Sequence, residues 1–591
     1  MTPIPHWRAG AALLLSVLLA ACGGGGGGDS PPPTAPAPPP VVVEKPATRA
    51  EAARFLSQAT FGPTDTDIDR VMAIGYAAWI DEQLALPAVS QRTRFEARDA
   101  EIRAANASSS AGQDQVFEGF WQQALTGPDP LRQRMVFALS QIFVISMADD
   151  NVAANPRAVT AWLDMLGDQG LSTYRQLLES VSRHPMMGIY LSHLRNQKAD
   201  TRSGRVPDEN YAREVLQLFS IGLVELNEDG SARTSGGAAI ATYAPADISG
   251  MARVFTGWSW ACPDWPDNNC FSSGSNAGSS DPDRTFKSML GYPQYHSTEE
   301  KRFLGTVIAA QTQADPVASL RTGLDTLAAH ANVGPFIGRQ LIQRLVTSNP
   351  SPTYVRDVAR VFANNGAGVR GDMGAVIKAV LMHREARVVS DTSGKVREPV
   401  LRLAAFMRAF PHSSDTGWWR VGNTDNTSTS LGQTPMRSPS VFNFYRPGYV
   451  NPGSSAAARG LVSPEMQIAH ETSAAGYINA MRDNVGSGVG QSNGTVNGVV
   501  RNRRDLQADY SAELALANDV PALVDRVLGK LTYGNASAAL RTEIVDAVGR
   551  VTIPALNVGG TNQGSVDSAK RTRVNAAILL VLASPEFQVQ Q

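Results

Sequence analysis

Residues 208–222 read DENYAREVLQLFSIG, and wound at about 3.6 residues per turn they divide into two faces. Glu209, Asn210, Arg213, Glu214 and Gln217 share one side across an arc of about 140°. Tyr211, Ala212, Val215, Leu216, Leu218 and Phe219 take the other. Glu209 and Arg213 stand at i, i+4, as do Asn210 and Glu214, a spacing at which helical side chains meet. Gly222 supplies a C-terminal stop. The period is that of a helix, not the alternation of a strand. The polar face gathers two carboxylates, a guanidinium and two amides. It reads either as a solvated helix surface or as a set able to do acid–base work, hold a cation or bind a polar ligand.

The same period runs outward in both directions. Residues 50–60 carry Ala53, Leu56 and Ala59 at helical spacing and stop at Phe61-Gly62-Pro63, where Thr64 and Asp67 form a capping pair for the next helix. Helices are predicted over 116–125, 131–146, 159–166, 172–182, 316–331, 335–345, 353–364, 373–383, 398–409, 464–482 and 573–583. Alternating patterns are scarce. The fold class expected is therefore all-α: a large multi-helix domain with long loop insertions and little or no β-sheet. Those insertions fall near 257–291, 412–434 and 486–498, rich in Gly, Ser, Asp and other polar residues. A faint internal echo aligns 375–387 (AVIKAVLMHREAR) with 576–588 (AAILLVLASPEFQ) without gaps; two similar amphipathic helices explain it as well as a duplication does.

The first 46 residues are of another kind. Residues 8–28, RAGAALLLSVLLAACGGGGGG, hold a positive flank, a short apolar run and small residues before a cysteine, the pattern of a secretory leader. It resembles the bacterial lipobox, which implies cleavage after residue 21 and acylation of Cys22, palmitate included. The apolar run is too short to span a bilayer stably. Residues 22–46 then read as a tether, flexible through the glycines and stiffer through the prolines. Gly23 rather than aspartate follows the cysteine, which by resemblance to lipoproteins of Gram-negative bacteria implies the outer membrane, on its periplasmic or cell-surface face. The body is residues 47–591.

With 53 Lys and Arg against 54 Asp and Glu, the chain lacks the basic field that nucleic acid demands. Cys262 and Cys270 are the cysteines left beyond Cys22, and in an oxidising compartment a local disulfide between them is expected.

Further blocks extend the pattern of the 208–222 segment. They include RFLSQATFGPT (54–64), GYAAWIDEQL (75–84), DPLRQRMVFALSQIFV (129–144) and PMMGIYLSHLRNQKADTRSGRVPDENYAREVLQLFSIGLVEL (185–226). ADISGMARVFTGW (246–258), HSTEEKRFLG (296–305), VGPFIGRQLIQRLV (333–346) and SPEFQ (584–588) continue it. Together they resemble the bacterial Domain of Unknown Function 1800 family over nearly the whole body. The resemblance implies a largely helical exported protein without an established activity. It also implies a partner: a sulfatase-like exported protein of the Domain of Unknown Function 1501 family. It draws attention to Glu209, Asn210, Arg213, Glu214, Asp247, Arg253 and His296. The chain departs from the family where FALSQIF stands (137–143), a place where relatives carry Trp and His, which weakens any histidine or metal mechanism.

Other motifs are weaker. Gly490-Gln491-Ser492-Asn493-Gly494 matches the G-x-S-x-G of serine hydrolases but sits in a low-complexity stretch without the strand–turn–helix that exposes such a serine. The eight histidines lack ligand spacing, and Asp264, Asp267, Asp281 and Asp283 lack that of a calcium loop, so no metal and no cofactor are expected. Trp418 and Trp419 are candidates for a stacking surface. The reading is an envelope-anchored lipoprotein that binds or organises an extracytoplasmic partner or a surface polymer. The alternative is a hydrolase or lyase on such a polymer, with Glu209, Glu214, Asp247 and His296 as acid–base residues and Asn210, Arg213, Arg253, Trp418 and Trp419 binding.

Overall fold

The computed structural model describes residues 44–276, 279–390, 393–496 and 498–591. The leader, Cys22 and the tether up to Val43 lie outside the described residues. Residues 44–591 form one compact unit. Helix makes up 51% of the described residues, and among them the strands gather only into antiparallel sheets of two or three strands. The protein is accordingly all-α with minor sheet. Among the described residues no helix is long and apolar enough to cross a membrane.

Local chemistry explains the helices. Thr48 caps the Arg49–Ala59 helix, which buries Ala52, Phe55, Leu56 and Ala59. Thr64 and Asp67 form the expected reciprocal capping box at the Asp65–Ile74 helix, and Asp67 also pairs with Arg408 at 2.8 Å. One continuous core runs from Ala52 through Trp79, Trp121, Trp162 and Leu341 to Phe587. Residues far apart in sequence thus share one apolar interior, with stabilisation of roughly 25 cal/mol per Å² of apolar surface removed from water.

Three expectations are corrected. The helix expected over 131–146 ends at Ser140, because the next stretch is pinned to a distant loop: Met147 N–H donates to Met436 O at 2.8 Å and Ser146 Oγ to Ser438 O at 2.6 Å. The helix expected over 464–482 is two elements, a 3₁₀ turn Pro464–Ile468 and a helix Glu471–Ser487 that starts at a His470–Ser473 capping box. The insertion near 486–498 is a strand, Val489–Val496, paired with Val499–Ala508, to which His412–Ser414 adds a third.

The internal echo has structural substance. Helices Val333–Leu345, Pro352–Ala363 and Met373–Met382 pack together and end in the short helix Arg384–Arg387. Helices Val520–Thr532, Ala538–Gly549 and Gln563–Ala583 do the same and end in Pro585–Gln588. In each unit the short helix holds a glutamate that accepts from the serine capping the middle helix: Glu385 from Ser351, and Glu586 from Ser537 at 3.0 Å.

Candidate functional site

The motif helix is Asn210–Gln217, with Glu209 at its N-cap and Gly222 closing the following turn at φ +74°. Tyr211, Ala212, Val215 and Leu216 are buried as the pattern requires, but Glu214 is buried with them. No described residue hydrogen-bonds its carboxyl, and Oε2 has no contact with water or partner. Burial raises its proton affinity above the usual carboxylate range, opposed only by nearby Arg213. Arg213 itself is exposed and meets Glu209 at 3.6 Å.

The other candidates surround the helix Pro245–Val254, each in a bond of its own. Glu209 accepts from Ser249 Oγ at 2.6 Å. Asp247 accepts from Ala244 N–H at 2.7 Å, completing a cap, and from Leu304 N–H at 2.8 Å. Arg253 donates to Glu300 O and pairs with Glu299 at 3.0 Å. Asn210 Nδ2 donates to Ser192 Oγ at 3.3 Å. His296 is fully buried. Its Nδ1 lies 2.8 Å from Thr256 O, an acceptor, so that nitrogen carries the proton and Nε2 accepts from Ser319 Oγ at 2.9 Å. Desolvation pushes its pKa down to about 4, leaving a neutral ring at pH 7. No hydrogen bond links Glu214, Asp247 and His296 to one another among the described residues.

In the insertions, Cys262 and Cys270 are bonded, with Cα atoms 5.5 Å apart, and with Phe271 and Tyr292 they form a small apolar cluster separate from the main core. Trp418 is half-buried with the guanidinium groups of Arg94 and Arg98 each 4.7 Å from its ring centre. Trp419 is half-buried against the main core. Ser492 of the G-x-S-x-G match lies in the Val489–Val496 strand, not on an elbow between a strand and a helix.

A second locus was not read from sequence. Beside the last turns of Val333–Leu345 opens a cleft of about 550 Å³, walled also by residues 217–226 and 441–448. Its apolar side is made by Leu218, Leu223, Val224, Phe336, Val441 and Phe442. Gly222 lets Phe336 approach: a Cβ there would stand 2.8 Å from the ring. Its polar side is Gln141, Gln217, Arg339, Gln340, Gln343, Arg344 and Arg446. Arg339, Gln340, Gln343 and Arg344 fall on one stripe of the helix, at i, i+1, i+4 and i+5. That spacing was visible in the sequence; the walls facing it were not, because they come from three distant stretches.

Behind the cleft lies a buried ionic core. The carbonyl of Arg344, in the last turn of its helix, accepts from Arg134 Nη2 at 2.6 Å and from Lys395 Nζ at 2.8 Å. These cations satisfy a helix end that no water reaches. Lys395 pairs with Glu465 at 3.0 Å, and Glu398 accepts from Gln141 and Gln433, both at 2.6 Å. Burial raises Glu465 and lowers Arg134 and Arg344. Such a network is costly to break, since any one member removed leaves an uncompensated charge.

The family model described as "Protein of unknown function (DUF1800)" matches residues 54–589. No curated protein and no solved structure matches.

Proposed function

The chain belongs to the DUF1800 family, and on that premise we propose that it is an exported lipoprotein of the bacterial envelope, acylated at Cys22 and acting by binding rather than by catalysis. The cleft beside Val333–Leu345 is its binding site, and its partner is a surface polymer or a sulfatase-like exported protein. One observation carries this reading. The residues lining the cleft include no Asp, Glu, His, Ser, Thr, Cys, Lys or Tyr, so the cleft offers amides, guanidinium groups and apolar walls but no nucleophile and no group that exchanges a proton near neutrality. The separate engagement of Glu209, Asp247 and His296 supports the same choice. The competing reading, a hydrolase or lyase, draws on Glu214, whose raised proton affinity suits a general acid.

A pull-down of the acylated protein from envelope extracts tests the two. Wild type, Glu214→Gln and Gln340→Leu are compared for captured partners and for turnover of the polymer fraction. Binding through the cleft predicts unchanged capture by Glu214→Gln and loss with Gln340→Leu. Polymer cleavage by wild type that disappears in Glu214→Gln overturns the binding reading.

A further inference from the structure

We propose that the cleft beside Val333–Leu345 takes an amphipathic organic anion: an apolar body bearing one carboxylate, phosphate or sulfate group. The head group is held by Arg339, Arg446 and Gln340. This rests on the binding reading above and specifies the part of the polymer or protein partner that enters the cleft.

Among the residues lining the cleft, the buried unmatched polar atoms are two donors, Gln340 Nε2 and Arg344 Nε, and two acceptors, Gln141 Oε1 and Gln343 Oε1, so the preference for an anion is set by the mouth and by the two donors beside it. Gln340 is only 7% exposed, yet its Nε2 donates to nothing. Arg344 Nε is buried and equally without an acceptor. A buried donor left unmatched is destabilising, so a small side-chain shift that brings Gln340 Nε2 or Arg344 Nε to a guest's oxygen is favoured. At the mouth, the exposed side chains of Arg339 and Arg446 make no hydrogen bond or ion pair with any described residue. Elsewhere, exposed arginines such as Arg503 and Arg541 close bidentate pairs with Asp415 and Asp525. Arg446 instead lies over the Phe442 ring, 4.5 Å from its centre, which holds its planar fork across the opening.

Charge agrees. No carboxylate lines the cleft. The ionic core behind it sets three cations, Arg134, Arg344 and Lys395, against two carboxylates, Glu398 and Glu465, one of them with raised proton affinity. The guanidinium fork matches a carboxylate or phosphate two bonds at a time. The remaining lining is apolar, and Leu223 at the rim stands 58% exposed, surface that an apolar body would cover. A volume of about 550 Å³ lies within the range of small-molecule sites.

The second helical unit serves as an internal control. Val333–Leu345 and Val520–Thr532 are both 13 residues long and align without gaps. Arg339 then matches Arg526, which is ion-paired to Glu513 at 2.6 Å. Gln340 matches Val527 and Arg344 matches Leu531, both fully buried in apolar core. The same scaffold closes its core with Val and Leu and neutralises its arginine in one unit. In the other it keeps a free arginine and two buried polar groups facing an opening. The polar stripe is therefore no requirement of the helix packing.

The test is fluorescence titration of the mature acylated protein in nanodiscs, with empty nanodiscs as blank, against four probes of one shape: 2-naphthoate, 2-naphthyl phosphate, neutral 2-naphthol and 2-naphthylmethylammonium. We expect at least one anion to bind tenfold or more tightly than 2-naphthol, the ammonium to bind weakest, and the tighter anion to identify the head group. Arg339→Gln/Arg446→Gln, both exposed and so not needed for folding, should lower the anion's affinity to that of 2-naphthol and leave 2-naphthol unchanged. Equal binding of 2-naphthol or the ammonium, or anion binding that survives the double substitution, overturns the ligand class and leaves the binding reading standing. Failure of all four probes to bind overturns both.

Discussion

Both ring nitrogens of His296 are committed, one to Thr256 O and one to Ser319 Oγ, and a proton added to Nε2 would place a charge in a dry site and force the Ser319 hydroxyl to turn from donor to acceptor. Its folded pKa of about 4 lies below the value near 6.5 of an unfolded histidine. The unfolded chain therefore takes up the proton first. The contribution of the neutral ring is complete above about pH 6.5 and is lost as pH falls towards 4. His296→Gln keeps a donor and an acceptor but no titration. We expect wild type to exceed it in stability at pH 7, with the gap shrinking by about 2 kcal/mol by pH 4.5; denaturant melts of both proteins at the two pH values check it, and a constant gap rejects it. At this scale sequence reasoning reached the residues but not their environments. It placed Glu214 on the polar face, and the helix is rotated enough to bury that carboxyl beside Val215 and Leu216.

Gly250 shows how tightly one element can depend on one missing side chain. A Cβ there would lie 1.8 Å from the carbonyl oxygen of Arg302, so the Pro245–Val254 helix can rest on the Lys301–Phe303 strand only with glycine at the contact. Gly250→Ala should cost about 1–3 kcal/mol, the usual range for forced overpacking, and should loosen this contact before the rest. Hydrogen exchange should show lost protection at 301–308 with the Trp121 and Trp162 core unchanged; uniform protection would refute the argument. Elements were legible where an apolar stripe recurs at helical period, as at 353–364 and 373–383. The paired strands Val489–Val496 and Val499–Ala508 were not. Their glycines and polar residues carry little alternation, and long-range bonds secure them instead: Arg420 donates to Asn493 Oδ1 at 3.0 Å, and buried Asp505 accepts from Ser414 and Asn493. The cleft was illegible for the same reason, since its walls meet only in the folded chain.

On the scale of the whole molecule, residues 44–591 form a single unit whose core runs from Ala52 to Phe587, so the fold described rests on contacts made within that body. Cys22→Ser should therefore leave thermal stability unchanged within about 0.5 kcal/mol, the ordinary range for changes away from packed features. It should also abolish incorporation of labelled fatty acid. Metabolic labelling with radioactive palmitate and a thermal melt check both; label retained by the variant would remove Cys22 from the account. The Lys395–Val396 strand pairs with Val589–Gln590, and Gln590 Nε2 donates to the carbonyl of Leu345 at 2.7 Å, at the floor of the ionic core. A ribosome delivers those closing residues after everything else described. A chain still short of them lacks the donor to the Leu345 carbonyl and the partner of the Lys395–Val396 strand. The Lys395–Glu465 pair and the Arg134 bond to the Arg344 carbonyl can already form, so the last turn of the Val333–Leu345 helix is sealed in a separate, later step than its charges.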